Sequence, residues 1–361
     1  MQFQVQRKKF VEGRVVEGDQ ITEDQLAQDD IIVKVDKFAY TSNNITYAVA
    51  GDMIGYWNFF PAQGEDVEDW GVIPVWGFAD VVNSKHEDIK VGERIFGYFP
   101  PASHLLIKAT RVSDRRIVDG AAHRSALPAP YNLYRRVEAE TTYDRAMDDI
   151  TMLLLPLHLT SFCLWDALVD ADWYDANRVI ILSASSKTSL GLAFALQKDE
   201  NSPKVVGVTS SHNKEKVIAM NMYDQVLTYE DISSLDKISS VIVDMSGSLK
   251  VLHQINDLLG DELKYCINVG LTHWEDGGQA TGPLAKKSSF FFAPGHMQKR
   301  AKEWGREEFD KKSNSFLMAS LKHSQNWLTV EKVEGLDGLQ SIHEDVCLGK
   351  IEANKGLIVQ L

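Results

Sequence analysis

Residues 178–196, RVIILSASSKTSLGLAFAL, decide the fold class of this chain. Residues 178–182 are a short apolar run rich in β-branched side chains, and residues 183–188 are small or polar. Apolar residues then return at helical spacing up to Leu196. The pattern predicts a buried β-strand, a tight turn and a helix.

The junction between this strand and helix suits a phosphate group. The first N–H groups of a helix lack intrahelical partners and the dipole is positive there, so a pyrophosphate can bind main-chain donors. Ser185, Ser186 and Thr188 add hydroxyl groups, and Lys187 adds a positive charge. The G-x-G-x-x-G fingerprint is reduced to Gly191. The alternative is an ordinary strand–helix connection with a polar turn.

The chain that follows alternates strands with helices. Strands are predicted at residues 204–208, 225–227, 241–244, 263–269 and 290–292, and a helix at residues 213–222. Such alternation implies a parallel, doubly wound Rossmann sheet, which binds ligands at the carboxyl ends of its strands. Gly270, Thr272, His273 and Trp274 follow the fifth strand, so we expect this segment to contact a dinucleotide.

The end of the second predicted strand indicates which dinucleotide fits. A carboxylate there binds the ribose 2′-OH of NAD, whereas hydroxyl groups and a cation accept the 2′-phosphate of NADP. Ser210, Ser211 and Lys214 follow this strand, and the first acidic residue is Glu215. These residues favour NADP. The alternative is a Ser/Asn helix cap followed by a solvated lysine.

The amino-terminal third has a different pattern. Apolar runs at residues 31–35, 81–82 and 94–98 are separated by Gly, Asp and Asn turns, and residues 356–361, GLIVQL, form a last strand. These runs predict a small barrel-like domain.

Several segments resemble the medium-chain dehydrogenase/reductase superfamily, nearest its zinc-free quinone-oxidoreductase and enoyl-reductase members. They are IIVKV (31–35), AYTSNN (39–44), PVWGFADVV (74–82), VGERIFG (91–97) and the helical stretch 152–168. The chain departs from the superfamily at the nucleotide turn, where Ser185, Ser186, Lys187 and Thr188 replace glycines, and in the barrel, where Phe78 and Asp80 replace a Glu–Gly pair. Residues 43–47, 55–61, 119–124 and 183–188 together resemble a bacterial branch known only as a domain of unknown function.

The resemblance implies a fold and a domain order. The fold is α/β, with a GroES-like barrel domain and a Rossmann domain. Residues 1–147 are the barrel-like catalytic domain with an insertion at about 115–147, residues 148–319 the Rossmann domain, and residues 320–361 the return to the barrel. The resemblance also places residues 209–211, Lys214 and Tyr229 where NADP-specific members bind the 2′-phosphate.

Catalytic candidates come from the barrel domain. A reductase acting on a conjugated carbonyl polarises the carbonyl oxygen and delivers a proton, which Tyr, His and Lys can do. Tyr47 and His123 are the leading candidates, with Asn44 and Tyr56 beside them, and we expect them to converge on an interdomain cleft. Tyr40 and Tyr131 are weaker candidates. Each aromatic can equally be a buried side chain bonded to the backbone, and Asn44 a turn residue.

Composition restricts the partners. The net charge of −13 argues against a nucleic-acid or anionic-membrane surface, and the apolar run near residues 152–159 is too short to span a bilayer. Cys163, Cys266 and Cys347 are far apart in sequence and lack zinc-ligand spacing, so no metal is expected. We expect a cytoplasmic protein with a small-molecule substrate. Many relatives form dimers, so the resemblance allows a homodimer.

These observations favour an NADP-dependent, metal-independent oxidoreductase acting on a carbonyl, enone or quinone-type molecule. One alternative is a lyase or aldolase-type enzyme that retains a dinucleotide site without net redox turnover. The other is a binding protein with a vestigial nucleotide site, which the serine-rich turn motivates.

Overall fold

The chain folds into two compact units in a computed structural model that describes residues 1–18, 21–49, 51–269 and 282–361. The first unit contains Met1–Leu153 and Leu328–Leu361, and the second contains Leu154–Trp327. The boundaries predicted from the sequence are 147/148 and 319/320. The first unit is discontinuous in sequence, because the carboxyl-terminal segment returns to it.

The strands, numbered in chain order, are β1 Gln2–Gln6, β2 Lys9–Val16, β3 Asp30–Tyr40, β4 Trp70–Gly71, β5 Val75–Ser84, β6 Arg94–Phe99, β7 His104–Ser113, β8 Arg116–Asp119, β9 Leu133–Arg136, β10 Arg178–Leu182, β11 Lys204–Thr209, β12 Gln225–Thr228, β13 Ser240–Asp244, β14 Leu263–Asn268, β15 Ser288–Phe290, β16 Thr329–Glu334 and β17 Lys355–Gln360. The helices are α1 Ser42–Val49, α2 Gly51–Ile54, α3 Asp148–Asp170, α4 Lys187–Lys198, α5 Lys214–Ala219, α6 Leu249–Leu259, α7 Gly282–Lys286, α8 Ala293–Glu303, α9 Arg306–Ser324 and α10 Gly335–Cys347.

The first unit contains the predicted barrel. Its sheet has the order β16-β17-β3-β5-β6-β9-β8-β7, and β7 also pairs with β3, which closes six antiparallel strands. Closure leaves no open edge between β3 and β7. The predicted final strand is β17, which pairs antiparallel with β3 from Leu357↔Tyr40 to Gln360↔Lys37.

A buried arginine joins the barrel strands to the start of α3. Arg94 of β6 is 1% exposed and donates to Asp80 at 2.9 Å, Asp36 at 2.7 Å and Asp148 at 2.9 Å. Asp80, which departs from the superfamily pattern, is therefore a partner of Arg94. A buried guanidinium is stable only when carboxylates compensate the lost hydration, so the three partners account for its position.

The second unit contains the predicted Rossmann sheet. Its six strands are parallel, in the order β12-β11-β10-β13-β14-β15. Val179 and Ile181 pack on one face of the sheet, and Ile180 and Leu182 on the other. A parallel sheet covered on both faces requires continuous apolar strands, which is why residues 178–182 lack polar alternation.

Two local predictions were wrong. The helix predicted at residues 213–222 is only α5, because Asn221 has a φ of +50°, which ends it. The buried strand predicted at residues 290–292 overlaps β15 only at Phe290. Strand β15 is the edge strand of the sheet, and Phe290 is 51% exposed. Asn44, predicted as a possible turn residue, lies in the first turn of α1 and accepts a hydrogen bond from the Thr41 N–H.

Helix α3 contains the longest apolar segment. The segment Arg145–Asp170 is apolar and long enough to cross a membrane by length and composition, although its uninterrupted apolar run is short. However, 61% of the most apolar 18 residues of this segment is buried inside the protein. Core helices of globular proteins have the same properties, so this feature is weak evidence for a membrane span.

Candidate functional site

The turn after β10 has a constrained backbone. Ser183 has a φ of +57°, in the left-handed region that favours glycine, at a cost of about 1–2 kcal/mol. Its N–H donates to the Tyr229 hydroxyl at 3.1 Å, and its carbonyl accepts from the Ser186 N–H at 2.9 Å. Tyr223 donates to the Ala184 carbonyl at 2.7 Å. Two tyrosines thus hold a turn that superfamily members build with glycine.

Helix α4 begins directly after this turn. Ser186 is its N-cap, and the Ser186 hydroxyl accepts from the Ser189 N–H at 3.2 Å. Lys187 and Thr188 are the first helical residues. Burial lowers the pKa of Lys187 to about 8. The predicted phosphate-binding residues therefore surround a helix amino terminus, where an anion is favoured.

A side-chain amide connects this turn to the loop after β11. Asn213 donates to Ser185 Oγ at 3.3 Å and to Ser210 Oγ at 3.2 Å. Thr209 Oγ1 also donates to Ser185 Oγ at 3.3 Å. The structure therefore brings together the residues predicted for the pyrophosphate and for the 2′-phosphate.

The loop after β11 also meets the loop after β12. Lys214 Nζ lies 3.1 Å from Asp231 Oδ2, and the two side chains are 32% and 45% exposed. Ser211 is exposed. The Tyr229 hydroxyl bonds Ser183, and burial raises its pKa to about 12. Tyr229, predicted to bind the 2′-phosphate, therefore already has a structural partner.

Close packing behind the turn explains the remaining glycine. A Cβ atom on Gly191 would lie 2.6 Å from Ser161 Oγ and 2.7 Å from His158 Cδ2, both on α3. Helix α3 therefore approaches the α4 backbone directly. His158 Nδ1 lies 3.1 Å from Ser320 Oγ, and burial lowers the pKa of His158 to about 3.

Three of the catalytic candidates belong to an aromatic cluster in the first unit. We call it the tyrosine cluster, and it contains the candidates Tyr47, Tyr56 and Tyr131 together with Tyr98. The Tyr47 and Tyr56 ring centroids are 4.7 Å apart, and those of Tyr98 and Tyr131 are 4.8 Å apart. The Tyr56 and Tyr131 hydroxyl oxygens are 3.0 Å apart. Burial raises the pKa of all four phenols, so they are neutral donors near pH 7.

Tyr47 has a defined hydrogen-bond arrangement. Its hydroxyl oxygen accepts from Asn43 Nδ2 at 2.7 Å and from Trp76 Nε1 at 3.3 Å. Both lone pairs of the oxygen are then engaged. The Tyr47 hydroxyl can therefore still donate its own proton in a hydrogen bond.

Tyr98 is the most deeply buried member of the tyrosine cluster. It is 0% exposed, and its hydroxyl group interacts with that of Tyr47 but makes no hydrogen bond of standard geometry within the described residues. An unsatisfied buried hydroxyl costs about 1–3 kcal/mol. Such a group can serve as a donor to a ligand oxygen.

His123 and Asn44 have backbone partners. His123 is exposed, and its Nε2 lies 3.0 Å from the carbonyl oxygen of Phe59, whose ring packs on Tyr56 at 5.7 Å. Asn44 accepts from the Thr41 N–H at 2.7 Å and donates to the Pro74 carbonyl at 2.9 Å. Asn44 therefore matches the structural alternative, because both ends of its amide are bonded to main chain.

Tyr47 belongs to the tyrosine cluster, and His123 is linked to it only indirectly, through the Phe59 carbonyl and the packing of Phe59 on Tyr56. Their predicted convergence on an interdomain cleft stays a prediction. Tyr40 bonds His343 Nδ1 at 2.8 Å, away from the tyrosine cluster. Gly270, Thr272, His273 and Trp274 lie outside the described residues.

Comparison with known protein families decides the classification. The profile of the family described as "Protein of unknown function (DUF2855)" matches residues 38–352, which is most of the chain. The chain belongs to the DUF2855 family. No match was found among curated proteins.

The fold of this DUF2855 protein is similar to solved oxidoreductase structures. CurA from Vibrio vulnificus in complex with NADPH is 14% identical with a TM-score of 0.62, covering 96% of this chain and 94% of CurA. YhdH from E. coli K-12 with bound NADPH is 14% identical with a TM-score of 0.56, over 100% and 99% of the two chains. The quinone oxidoreductase from Coxiella burnetii is 14% identical with a TM-score of 0.54, over 100% and 98%. The chain therefore shares the two-domain fold of these structures, which is the fold that the resemblance implied.

The sequence did not indicate several residues of the candidate site. Asn213 reaches Ser185 because β10 pairs with β11, and Asp231 reaches Lys214 because β11 pairs with β12. Trp76 and Tyr98 face each other across the pairing of β5 with β6, and Asn43 lies one turn before Tyr47 on α1. The four residues from Ser210 to Asn213 resembled a helix start, so the bridging role of Asn213 had only a weak sequence signal. Asp231 had none, because it follows a different strand.

The cysteines are packed separately. Cys163 and Cys266 are buried, and Cys347 is half-buried with its sulfur 3.5 Å from His343 Nε2. Over residues 1–18, 21–49, 51–269 and 282–361, no group of three or more His, Cys, Asp or Glu side chains is arranged to hold a metal ion.

Proposed function

We propose that this protein is a reductase that uses NADP as its hydride carrier and reduces a carbonyl, enone or quinone-type small molecule without a metal. The observation that carries the proposal is the Asn213 bridge between Ser185 and Ser210. It joins the loop suited to a pyrophosphate with the loop suited to a 2′-phosphate. The NADPH complexes of CurA and YhdH, which share the fold, support the same cofactor.

The residues around the turn fit the cofactor chemically. The capped amino terminus of α4 offers main-chain donors. Burial lowers the pKa of Lys187, and a bound phosphate would favour its charged form. Ser210, Ser211 and Lys214 offer hydroxyl groups and a cation for a 2′-phosphate. When bound, NADPH supplies the hydride.

The proposed proton donor is Tyr47. Asn43 and Trp76 hold its oxygen from two sides, so its proton is directed away from them. Because burial raises its pKa, Tyr47 keeps this proton near pH 7 and can donate it to a carbonyl oxygen. Tyr56 packs against the Tyr47 ring and limits its movement.

The first experiment is equilibrium binding of NADPH and NADH, followed by the change in reduced-nicotinamide absorbance with a panel of enones, quinones and aldehydes. NADPH should bind, and absorbance should fall with at least one acceptor class. A chelator should leave the rate unchanged. Absence of NADPH binding would contradict the proposal, and binding without turnover across the panel would favour the non-redox alternatives.

The second experiment is Tyr47→Phe. A positioned proton donor contributes about 10²- to 10⁴-fold in rate, so turnover should fall by that order while the NADPH dissociation constant stays nearly constant. Tyr265→Phe is the matched control, because Tyr265 stacks on Tyr174 in the second unit and has no proposed role. Full turnover in Tyr47→Phe would remove Tyr47 from the mechanism.

A further inference from the structure

The loops after β11 and β12 place opposite charges side by side. Strands β11 and β12 are parallel neighbours with Thr209 opposite Thr228, and the Tyr229 N–H donates to the Thr209 carbonyl at 3.1 Å. The residues after both strands therefore lie at the same edge of the sheet. This pairing brings Lys214 and Asp231 into contact at 3.1 Å.

We propose that Asp231 is a specificity-determining residue that weakens the preference for NADPH by holding Lys214 and by offering a carboxylate to the ribose of NADH. The inference rests on the proposed function. A 2′-phosphate near Lys214 competes with Asp231 for the ammonium group and is repelled by the carboxylate. A 2′-hydroxyl can instead donate to the carboxylate.

The local hydrogen bonds keep Asp231 in place. Its N–H donates to Thr228 Oγ1 at 3.2 Å, and its Oδ2 atom also lies 3.4 Å from the Thr228 N–H. The carboxylate is thus anchored at the end of β12 rather than carried on a free side chain. A fixed carboxylate cannot move away from a phosphate without breaking these contacts.

The test is Asp231→Asn, with dissociation constants measured for NADPH, NADH, 2′,5′-ADP and 5′-AMP. Exposed ion pairs contribute about 0.2–1 kcal/mol, so NADPH and 2′,5′-ADP should bind up to about fivefold more tightly in the variant. NADH and 5′-AMP should bind more weakly by a similar factor. The adenosine fragments report on this pocket without any contribution from the nicotinamide or from turnover.

Glu230→Gln is the matched control. Glu230 is exposed and adjacent to Asp231, so this variant removes the same charge without altering the Lys214 contact. Equal changes in Asp231→Asn and Glu230→Gln would overturn the inference by showing a general charge effect. Unchanged affinities in Asp231→Asn would overturn it as well.

Lys214→Met removes the ammonium group and keeps Asp231, so it distinguishes the effect of Lys214 from that of Asp231. It also tests the inference if Asp231→Asn is poorly folded. It should weaken NADPH and 2′,5′-ADP and leave NADH and 5′-AMP nearly unchanged. In the Lys214→Met/Asp231→Asn double variant, most of the gain in NADPH affinity should disappear. If the native protein binds neither NADPH nor 2′,5′-ADP, the proposed function fails; if it binds them and the variants do not differ, only the role of Asp231 fails.

Discussion

The hydroxyl oxygen of Tyr229 lies 3.1 Å from the amide nitrogen of Ser183 and accepts its hydrogen bond. Ser183 is the residue whose backbone has the left-handed φ of +57° at the nucleotide turn. A residue predicted to select the cofactor therefore stabilises the turn on which any dinucleotide would depend. The two roles make different predictions.

Tyr229→Phe should weaken NADPH and NADH by similar factors and lower the melting temperature. Loss of one hydrogen bond costs about 0.5–1.5 kcal/mol, and the Ser183 turn loses its anchor. Calorimetric titration with both cofactors and thermal unfolding measure these effects. A loss confined to NADPH would instead support direct contact with the 2′-phosphate.

Binding of both cofactors should weaken as pH rises above the Lys187 pKa of about 8. Bound phosphate favours charged Lys187, so binding takes up a proton and the dissociation constant rises up to about tenfold per pH unit. Lys187→Ala should bind both cofactors more weakly and with a flatter pH profile. A parallel pH dependence in the native protein and the variant would exclude Lys187 as the cause.

The same pKa makes a prediction for stability without cofactor. The folded-state pKa of Lys187, about 8, lies below its ordinary value of 10.5, so the unfolded chain binds more protons between these pH values. The contribution of Lys187 to stability should therefore increase as pH rises through that window. Comparing urea unfolding of the native protein and Lys187→Ala at several pH values isolates this contribution.

Tyr98→Phe should leave the protein as stable as the native chain, or more stable by about 1 kcal/mol, because the buried Tyr98 hydroxyl makes no hydrogen bond of standard geometry in the described structure. Tyr134→Phe is the contrasting variant. The Tyr134 hydroxyl donates to the Tyr98 carbonyl at 3.0 Å and accepts from Arg124 at 3.1 Å, so its loss should be destabilising. Equal losses in denaturant unfolding would show that the Tyr98 hydroxyl has a structural partner.

Gly191→Ala should destabilise the second unit, because the added Cβ meets Ser161 and His158 at 2.6 and 2.7 Å. Overpacking of this kind costs about 1–3 kcal/mol. Gly295→Ala is the helical control, since its Cβ would meet only Phe292 Cδ1 at an ordinary 3.8 Å. The control should be neutral or slightly stabilising, and a similar result for Gly191→Ala would mean that α3 can move away from α4.

Much of the fold could be predicted from local patterns. Strand β10 has the predicted bounds, and β17 forms the predicted final strand of the barrel. Such segments are predictable because a strand buried on both faces must be apolar throughout. The prediction of a buried strand at residues 290–292 was wrong because it relied on the same rule. Apolar composition does not reveal that β15 is the edge strand.

The candidate site was less predictable than the fold. Ser185, Ser186 and Lys187 could be predicted because a helix start and its cap depend on residues close in sequence. The bond from the Asn44 amide to the Pro74 carbonyl could not be predicted, because Pro74 is distant in sequence. Tyr98 carried no signal at all, since an apolar strand usually buries its aromatic residues without further function.

The sequence by itself determined the alternation of strands and helices, the turn after β10 and the hydroxyl-rich end of β11, because each depends on neighbouring residues. Only the tertiary structure decided that Asp231 meets Lys214 and that Asn213 joins Ser185 to Ser210. These contacts exist because parallel strands place their carboxyl ends at one edge, whatever the length of chain between them. The acidic residue that could contact the cofactor ribose, Asp231, therefore follows β12 in sequence, although it lies beside the residues that follow β11.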